Sequence, residues 1–186
     1  MNETKNDKKI NVRAMVFTAI VAALICVASP FSIPMPGLVP ISLGTFAIYL
    51  GSALLGGKRA TVAVTVFILI GAVGLPVFTG FTGGFAKLLG VTGGYIIGYI
   101  PLAFITGIFA EKFNKLLFMP VGMILGTAAL YTFGTIWFMI ATGSGLGAAL
   151  MSCVVPFLIG DGIKIAVATA VAKPVRARIN GYMSGI

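Results

Sequence analysis

Six long apolar runs, at about residues 12–29, 41–56, 60–75, 95–110, 117–141 and 148–173, leave this chain few ways to fold. A helix needs roughly 20 apolar residues to cross the hydrocarbon core of a bilayer. Inside lipid, only helices and closed barrels satisfy every backbone polar group. Charged residues make up 9% of the sequence and apolar ones 59%, whereas a soluble domain carries about 25% charged residues to cover its surface. The runs therefore predict an all-α membrane protein of six transmembrane helices. They form one domain over residues 12–178, between polar tails at 1–11 and 179–186. Six spans nearly exhaust the 186 residues, so no nucleotide-binding cassette fits within them.

The basic residues give the threading. Eleven of the thirteen fall on one side of a six-span chain: Lys5, Lys8, Lys9, Arg13, Lys58, Arg59, Lys112, Lys115, Lys173, Arg176 and Arg178. Lys87 alone lies in the opposite connections, and Lys164 lies inside the last run. Positive residues mark the cytoplasmic side, so both termini are expected inside. Because the +9 net charge is distributed among topology signals, it does not indicate a nucleic-acid surface.

Two connections are unusual. Pro30, Pro34, Pro36 and Pro40 punctuate residues 30–40, where missing amide donors and restricted dihedrals forbid a regular helix. The segment is apolar and uncharged, which suits a lid over a cavity or a connector at the membrane interface. Residues 76–94 hold six glycines, at 80, 83, 84, 90, 93 and 94, too many for a stable long helix. Irregular backbone at membrane depth persists only beside protein or a watery cavity. This connection is either a surface loop or part of a site.

Chemistry-bearing residues are few. Cys26 and Cys153 lie in apolar runs and read as small core residues. The chain has no histidine, which argues against imidazole catalysis, a Ser-His-Asp triad and most transition-metal sites. No phosphate-binding loop occurs, so the chain is not expected to hydrolyse ATP, and no cofactor is expected. Glu111 at the basic face reads as a surface partner for Lys115. Asp161 is different, because it sits in PFLIGDGIK (156–164) within an apolar run. A charge at the centre of a spanning helix costs about 2.5–3.5 kcal/mol even on lenient scales. Lys164, three residues on, shares its face and neutralises it. An ion pair that only offsets its own burial gains nothing over apolar side chains, so the pair reads as a site for a polar small molecule. Small residues at four-residue spacing supply helix-packing faces: Ala14/Thr18/Ala22 and Ala19/Ala23 on the first run, Gly90/Gly94/Gly98, and Gly122/Gly126.

Four stretches together resemble the BioY family, the biotin-specific S components of energy-coupling-factor (ECF) transporters. They are VPISLGTF (39–46), GAVGLPVF (71–78), GGFAKLLG (83–90) with TGGY (92–95), and PFLIGDGIK (156–164). The similarity runs from about Arg13 to Arg178. It departs at Gly44 and Val91, where the family usually has glutamine and proline. The resemblance implies a six-helix substrate-binding subunit of the bacterial cell membrane, not an enzyme. A cavity opens outward and the first loop covers bound biotin. Asp161, Lys164, Lys87, Thr45, Gly84 and Tyr95 are then the expected ligand-binding residues. Asp161 and Lys164 offer an acceptor and a donor to the ureido group, and Lys87 is placed to attract the carboxylate. The implied partners are a transmembrane coupling subunit (EcfT) and two cytoplasmic ATPase subunits, with Ala19 and Ala23 of the first helix facing the coupling subunit. The alternatives are an S component for another vitamin and, from a different class, an intramembrane enzyme or redox-complex subunit.

The threading makes a direct prediction. In a background lacking Cys26 and Cys153, an impermeant thiol reagent added to intact cells should label single cysteines within 30–40 and 76–91. It should not reach a cysteine at position 58; labelling there would overturn the six-span topology.

Overall fold

The structure is a computed structural model. It describes residues 12–33, 39–113 and 118–183, with the backbone alone at residue 177 and residues 179–183. The expected N-terminal tail and Lys115, the expected partner of Glu111, lie outside the described residues. Eight helices and one hairpin follow in order among them: α1 (Val12–Ala28), β1 (Ser32–Ile33), β2 (Ile41–Ser42), α2 (Gly44–Leu55), α3 (Gly57–Ala72), α4 (Phe85–Leu89), α5 (Gly93–Lys112), α6 (Phe118–Thr142), α7 (Leu146–Cys153) and α8 (Val155–Met183). Three stretches, Gly93–Lys112, Phe118–Thr142 and Leu146–Arg176, are long and apolar enough to cross a bilayer by length and composition. The apolar helices α1 and α2 are shorter.

Burial explains how such hydrophobic helices pack together. The short α2 is buried on nearly every side, with Ala47, Ile48, Tyr49, Ser52 and Ala53 among its enclosed residues. It touches α1, α3, α5 and α8. Outer helices keep large apolar side chains exposed: Met15, Val16 and Ile20 on α1, Ile124 and Ile136 on α6, and Leu158, Ile159 and Ile163 on α8. In water such a surface would be an aggregation liability; in a bilayer it is the solvated face. Polar residues lie inward instead, with Ser29, Ser42, Thr45, Ser52, Thr106, Thr127, Thr135 and Asp161 buried.

The most extensive helix pair is α5 with α6. It closes on small residues, as the spacing implied: Gly94 against Trp137, Gly98 against Leu130, Gly122 against Phe109 and Gly126 against Leu102. The close approach excludes any Cβ at these positions, and van der Waals packing then supplies the attraction that lipid cannot. Gly90 precedes α5 and joins α6 through its backbone instead, its carbonyl accepting the Trp137 indole N–H at 2.9 Å.

Three boundaries differ from the sequence expectation. GGKR (56–59), between the second and third runs, reads from sequence as a basic turn. Here it reduces to Gly56, whose φ of +80° reverses the chain in one residue, so Lys58 and Arg59 sit in the first turn of α3. Residues 41–42 are strand rather than helix, because Ser42 Oγ accepts the Gly44 amide (2.9 Å) and starts α2 only there. The last run breaks at Val154, between α7 and α8. Pro156 has no amide to continue α7, whereas Gly160 lies inside α8 without interrupting it. That helix continues past Pro174 into the expected C-terminal tail.

The seam between α5 and α6 can be tested by overpacking. A Cβ at position 126 would lie 2.9 Å from Leu102 O and Thr106 Oγ1, so Gly126→Leu should destabilise by about 1–3 kcal/mol. Thermal unfolding in detergent, followed by circular dichroism, should show a melting point lower by several degrees. Gly147→Leu, which meets nothing within 4 Å, should leave it in place.

Candidate ligand-binding site

The described ends of the Pro-rich connection, residues 30–33 and 39–42, pair over the interior and are called the lid below. Strands β1 and β2 pair antiparallel, Ser32 with Ser42 and Ile33 with Ile41. A second loop locks against it, with the Gly80 amide donating to Pro30 O (3.0 Å) and Phe81 edge-on to Phe31 at 5.4 Å. This second loop is itself a tight reversal, held by the Phe78–Thr82 bridge.

Beneath both loops lies a small cavity. Val39, Pro40 and Ser42 of the lid and Thr79 of the second loop cover it. Its walls are Tyr95, Ile96 and Tyr99 from α5, Leu130 and Tyr131 from α6, and Phe157 and Asp161 from α8, with Thr92 at the start of α5. The lining fits the pattern of a small-molecule site, mostly apolar with a few convergent polar groups. Its volume is about 40 Å³, room for only a water or two, while small-molecule sites occupy roughly 300–1,000 Å³. An organic ligand therefore requires lid and walls to part.

Asp161 is 4% exposed, and a charge so enclosed needs partners. Oδ1 accepts from Lys164 Nζ at 3.0 Å, and Oδ2 accepts from the Tyr131 hydroxyl at 2.7 Å. The Thr45 hydroxyl stands 3.5 Å from Oδ1. Lys164 Nζ also donates to the Ser42 carbonyl (2.7 Å) and Thr45 Oγ1 (2.9 Å). An ammonium has three N–H groups, and all three are engaged. One of them holds the backbone of the lid strand.

Tyr95 is fixed by the helix break. The Phe157 amide bonds Val154 O at 2.9 Å rather than reaching back to Cys153. The Cys153 carbonyl left free accepts the Tyr95 hydroxyl at 3.1 Å. A neighbouring phenol serves only to tie helices together. Thr127 donates its proton to Met123 O (2.7 Å), so Tyr49 must be the donor in its 2.6 Å contact with Thr127. Tyr99, also on the cavity wall, has no hydroxyl partner among the described residues.

Of the six expected ligand-binding residues, Asp161, Lys164 and Thr45 form one network and Tyr95 joins Asp161 on the cavity wall. Only Asp161 and Tyr95 of the six line the cavity; Thr45 and Lys164 stand behind Asp161, and Gly84 and Lys87 lie outside it. Gly84 donates its amide to Gly71 O (2.7 Å) at a φ of +95°, and Lys87 lies half-buried on α4. Sequence reasoning missed Ser42, Tyr99 and Tyr131. A phenol in an apolar span needs a partner for its hydroxyl, and that signal could have paired Tyr131 with the one acid inside the last apolar run.

The two alanine faces of α1 separate. Ala14 and Ala22 are buried, and half-buried Thr18 donates to Ala14 O at 2.8 Å. Ala19 and Ala23 are exposed. Ala19 lies in an open groove of about 490 Å³ between α1 and α3, with Val62 and Val66 in its wall and Lys58 and Arg59 among its lining.

Comparison with known proteins agrees with this architecture. The family model described as the BioY family matches residues 2–181. The chain belongs to the BioY family. It is 37% identical over 160 residues to a biotin transporter BioY of Thermotoga maritima, covering 86% of this chain and 94% of that one. A biotin transporter BioY of Rhodobacter capsulatus is 32% identical over 174 residues, covering 86% and 88%. The crystal structure of an S-component for biotin from an ECF-type ABC transporter superposes with a TM-score of 0.83 at 30% identity, over 95% of both chains. The BioY assignment makes the chain a transporter subunit and not an enzyme. It also accounts for the multi-pass apolar bundle. Gly44, where the resemblance implied a glutamine, presses against Ser29 and Ser42; a Cβ would lie 2.9 Å from Ser29 Oγ. Any side chain at position 44 would disturb the residue that starts α2. Val91, the other departure, packs partly buried against the core.

Proposed function

We propose that this chain captures biotin beneath the lid and passes it to an ATP-driven ECF module. The observation that carries this reading is the buried Asp161 carboxylate, held by Lys164 and Tyr131 on the wall of a lid-covered cavity. Biotin combines apolar rings and chain with a ureido group carrying two N–H donors and one acceptor. The ureido N–H groups would bond Asp161, while Tyr95, Ile96 and Phe157 would pack on the rings. The ureido carbonyl would take a Lys164 proton only in exchange for Ser42 O, Thr45 Oγ1 or Asp161 Oδ1. Because Ser42 belongs to the lid, ligand binding and lid position would be coupled through one ammonium. Gly84 and Lys87 would approach from the neighbouring connection, with Lys87 drawing the biotin carboxylate weakly because water and salt screen it.

The same reading includes six crossings in a bacterial plasma membrane with both termini cytoplasmic. In its support, the lid and second loop meet at one end of the bundle, while the Gly56 corner packs against Glu111 near the end of α5. The exposed Ala19 and Ala23 would receive a helix of the coupling subunit EcfT, whose two ATPase partners hydrolyse ATP. Mass spectrometry of small molecules co-purifying with the protein tests the ligand, biotin against another vitamin.

A hydrogen bond to a charged group contributes about 1.5–3 kcal/mol, equivalent to one to two orders of magnitude in affinity. Asp161→Asn and Lys164→Met should each weaken biotin binding by that factor in calorimetry, with melting curves showing a folded protein. Wild-type affinity in folded Asp161→Asn would remove the site assignment. For the partner face, Ala19→Trp and Ala23→Trp should retain biotin binding yet lose co-purification with the coupling subunit. Lost binding with intact assembly would make those alanines internal packing.

A further inference from the structure

Two separate spaces meet at Asp161. One is the lid-covered cavity. The other is a crevice of about 240 Å³ between α6 and α8, lined by Ile124, Thr127, Ala128, Leu158, Gly162 and Ile165. These two helices touch only lightly, and Ile124 and Leu158 at the crevice are exposed on the apolar face of the bundle. Among the described residues, only Tyr131 and Asp161 line both spaces. Their 2.7 Å hydrogen bond is therefore a partition between the site and the lipid-facing side.

The two carboxylate oxygens are not held alike. Oδ1 has Lys164 and Thr45 beside it, whereas Oδ2 has the Tyr131 hydroxyl alone among the described residues. The donors on Oδ1 hold one end of the carboxylate, and the Tyr131 hydroxyl on Oδ2 supplies the second point that fixes its plane. Without that hydroxyl, Oδ2 would stand unpartnered at the edge of an apolar crevice, and an unpaired charged oxygen there is costly. The carboxylate would turn towards whatever donor remained, away from the orientation that presents a lone pair to the cavity.

We infer that Tyr131 is a positioning residue for ligand recognition: its hydroxyl fixes the plane of the Asp161 carboxylate while its ring closes the site against the bilayer. This rests on the reading of Asp161 as the acceptor for biotin. Tyr131 acts through Asp161 and need not touch the ligand.

The chain offers a clean spectroscopic handle, since Asp7 and Asp161 are its only aspartates. Full-length protein labelled with 13C-aspartate, with and without Asp161→Asn, assigns the Asp161 carboxylate band in the infrared. Tyr131→Phe keeps the ring and removes only the hydroxyl. It should move that band in ligand-free protein and lower biotin affinity by about ten- to a hundredfold, with an unchanged fold by circular dichroism. An unmoved band, or a moved band with unchanged affinity, overturns the inference while leaving the biotin site standing if Asp161→Asn still weakens binding. Unchanged affinity in folded Asp161→Asn overturns the site reading itself, and this inference with it.

Discussion

One buried carboxylate organises the interior. Helices elsewhere in the interior meet through apolar, small or neutral polar residues, but Asp161 is charged and must find its partners inside the protein, since hydrocarbon offers none. Lys164 comes from its own helix, Tyr131 from α6 and Thr45 from α2. Satisfying one charge thus brings three helices into register at the depth of the cavity. The lid joins the same network, because the ammonium that neutralises Asp161 also holds Ser42.

The helix pairs are not joined alike. Glycine-mediated contact makes the α5/α6 seam incompressible, because close-packed side chains against backbone leave no room for adjustment. Around α8 the packing is different. It begins at a helix break, meets α6 only lightly and carries the charged pair. Its main partner is instead the buried α2, so Asp161 stands on a helix anchored to the centre of the bundle and loosely joined to α6, while Tyr95 and Tyr99 stand on the tight seam.

Much of this was legible in the order of the residues. The apolar runs gave the helices because lipid permits little else. Asp161 and Lys164 stood out because a charge in an apolar run demands an explanation. Proline density argued against a regular helix over residues 30–40, and the described ends of that segment are strand and turn. The rest depends on three-dimensional contact. Tyr131 looks like any aromatic residue in a span until α8 places Asp161 opposite it. Nor does the sequence show that all three Lys164 protons are engaged within the protein, by Ser42, Thr45 and Asp161. Sequence also misplaced the start of α2, where one serine side chain sets the boundary, and the corner at Gly56, where a single positive φ replaces a four-residue turn.

The bond from Lys164 to the lid goes to the carbonyl of Ser42, not to its side chain. A main-chain acceptor is present whatever residue occupies the position, so this tether is blind to the identity of the amino acid it holds. The side chain of Ser42 has a separate task, since its Oγ donates to Ser29 O at 2.7 Å and accepts the Gly44 amide at 2.9 Å. Attachment of the lid and the start of α2 are thereby carried by different atoms of the same residue.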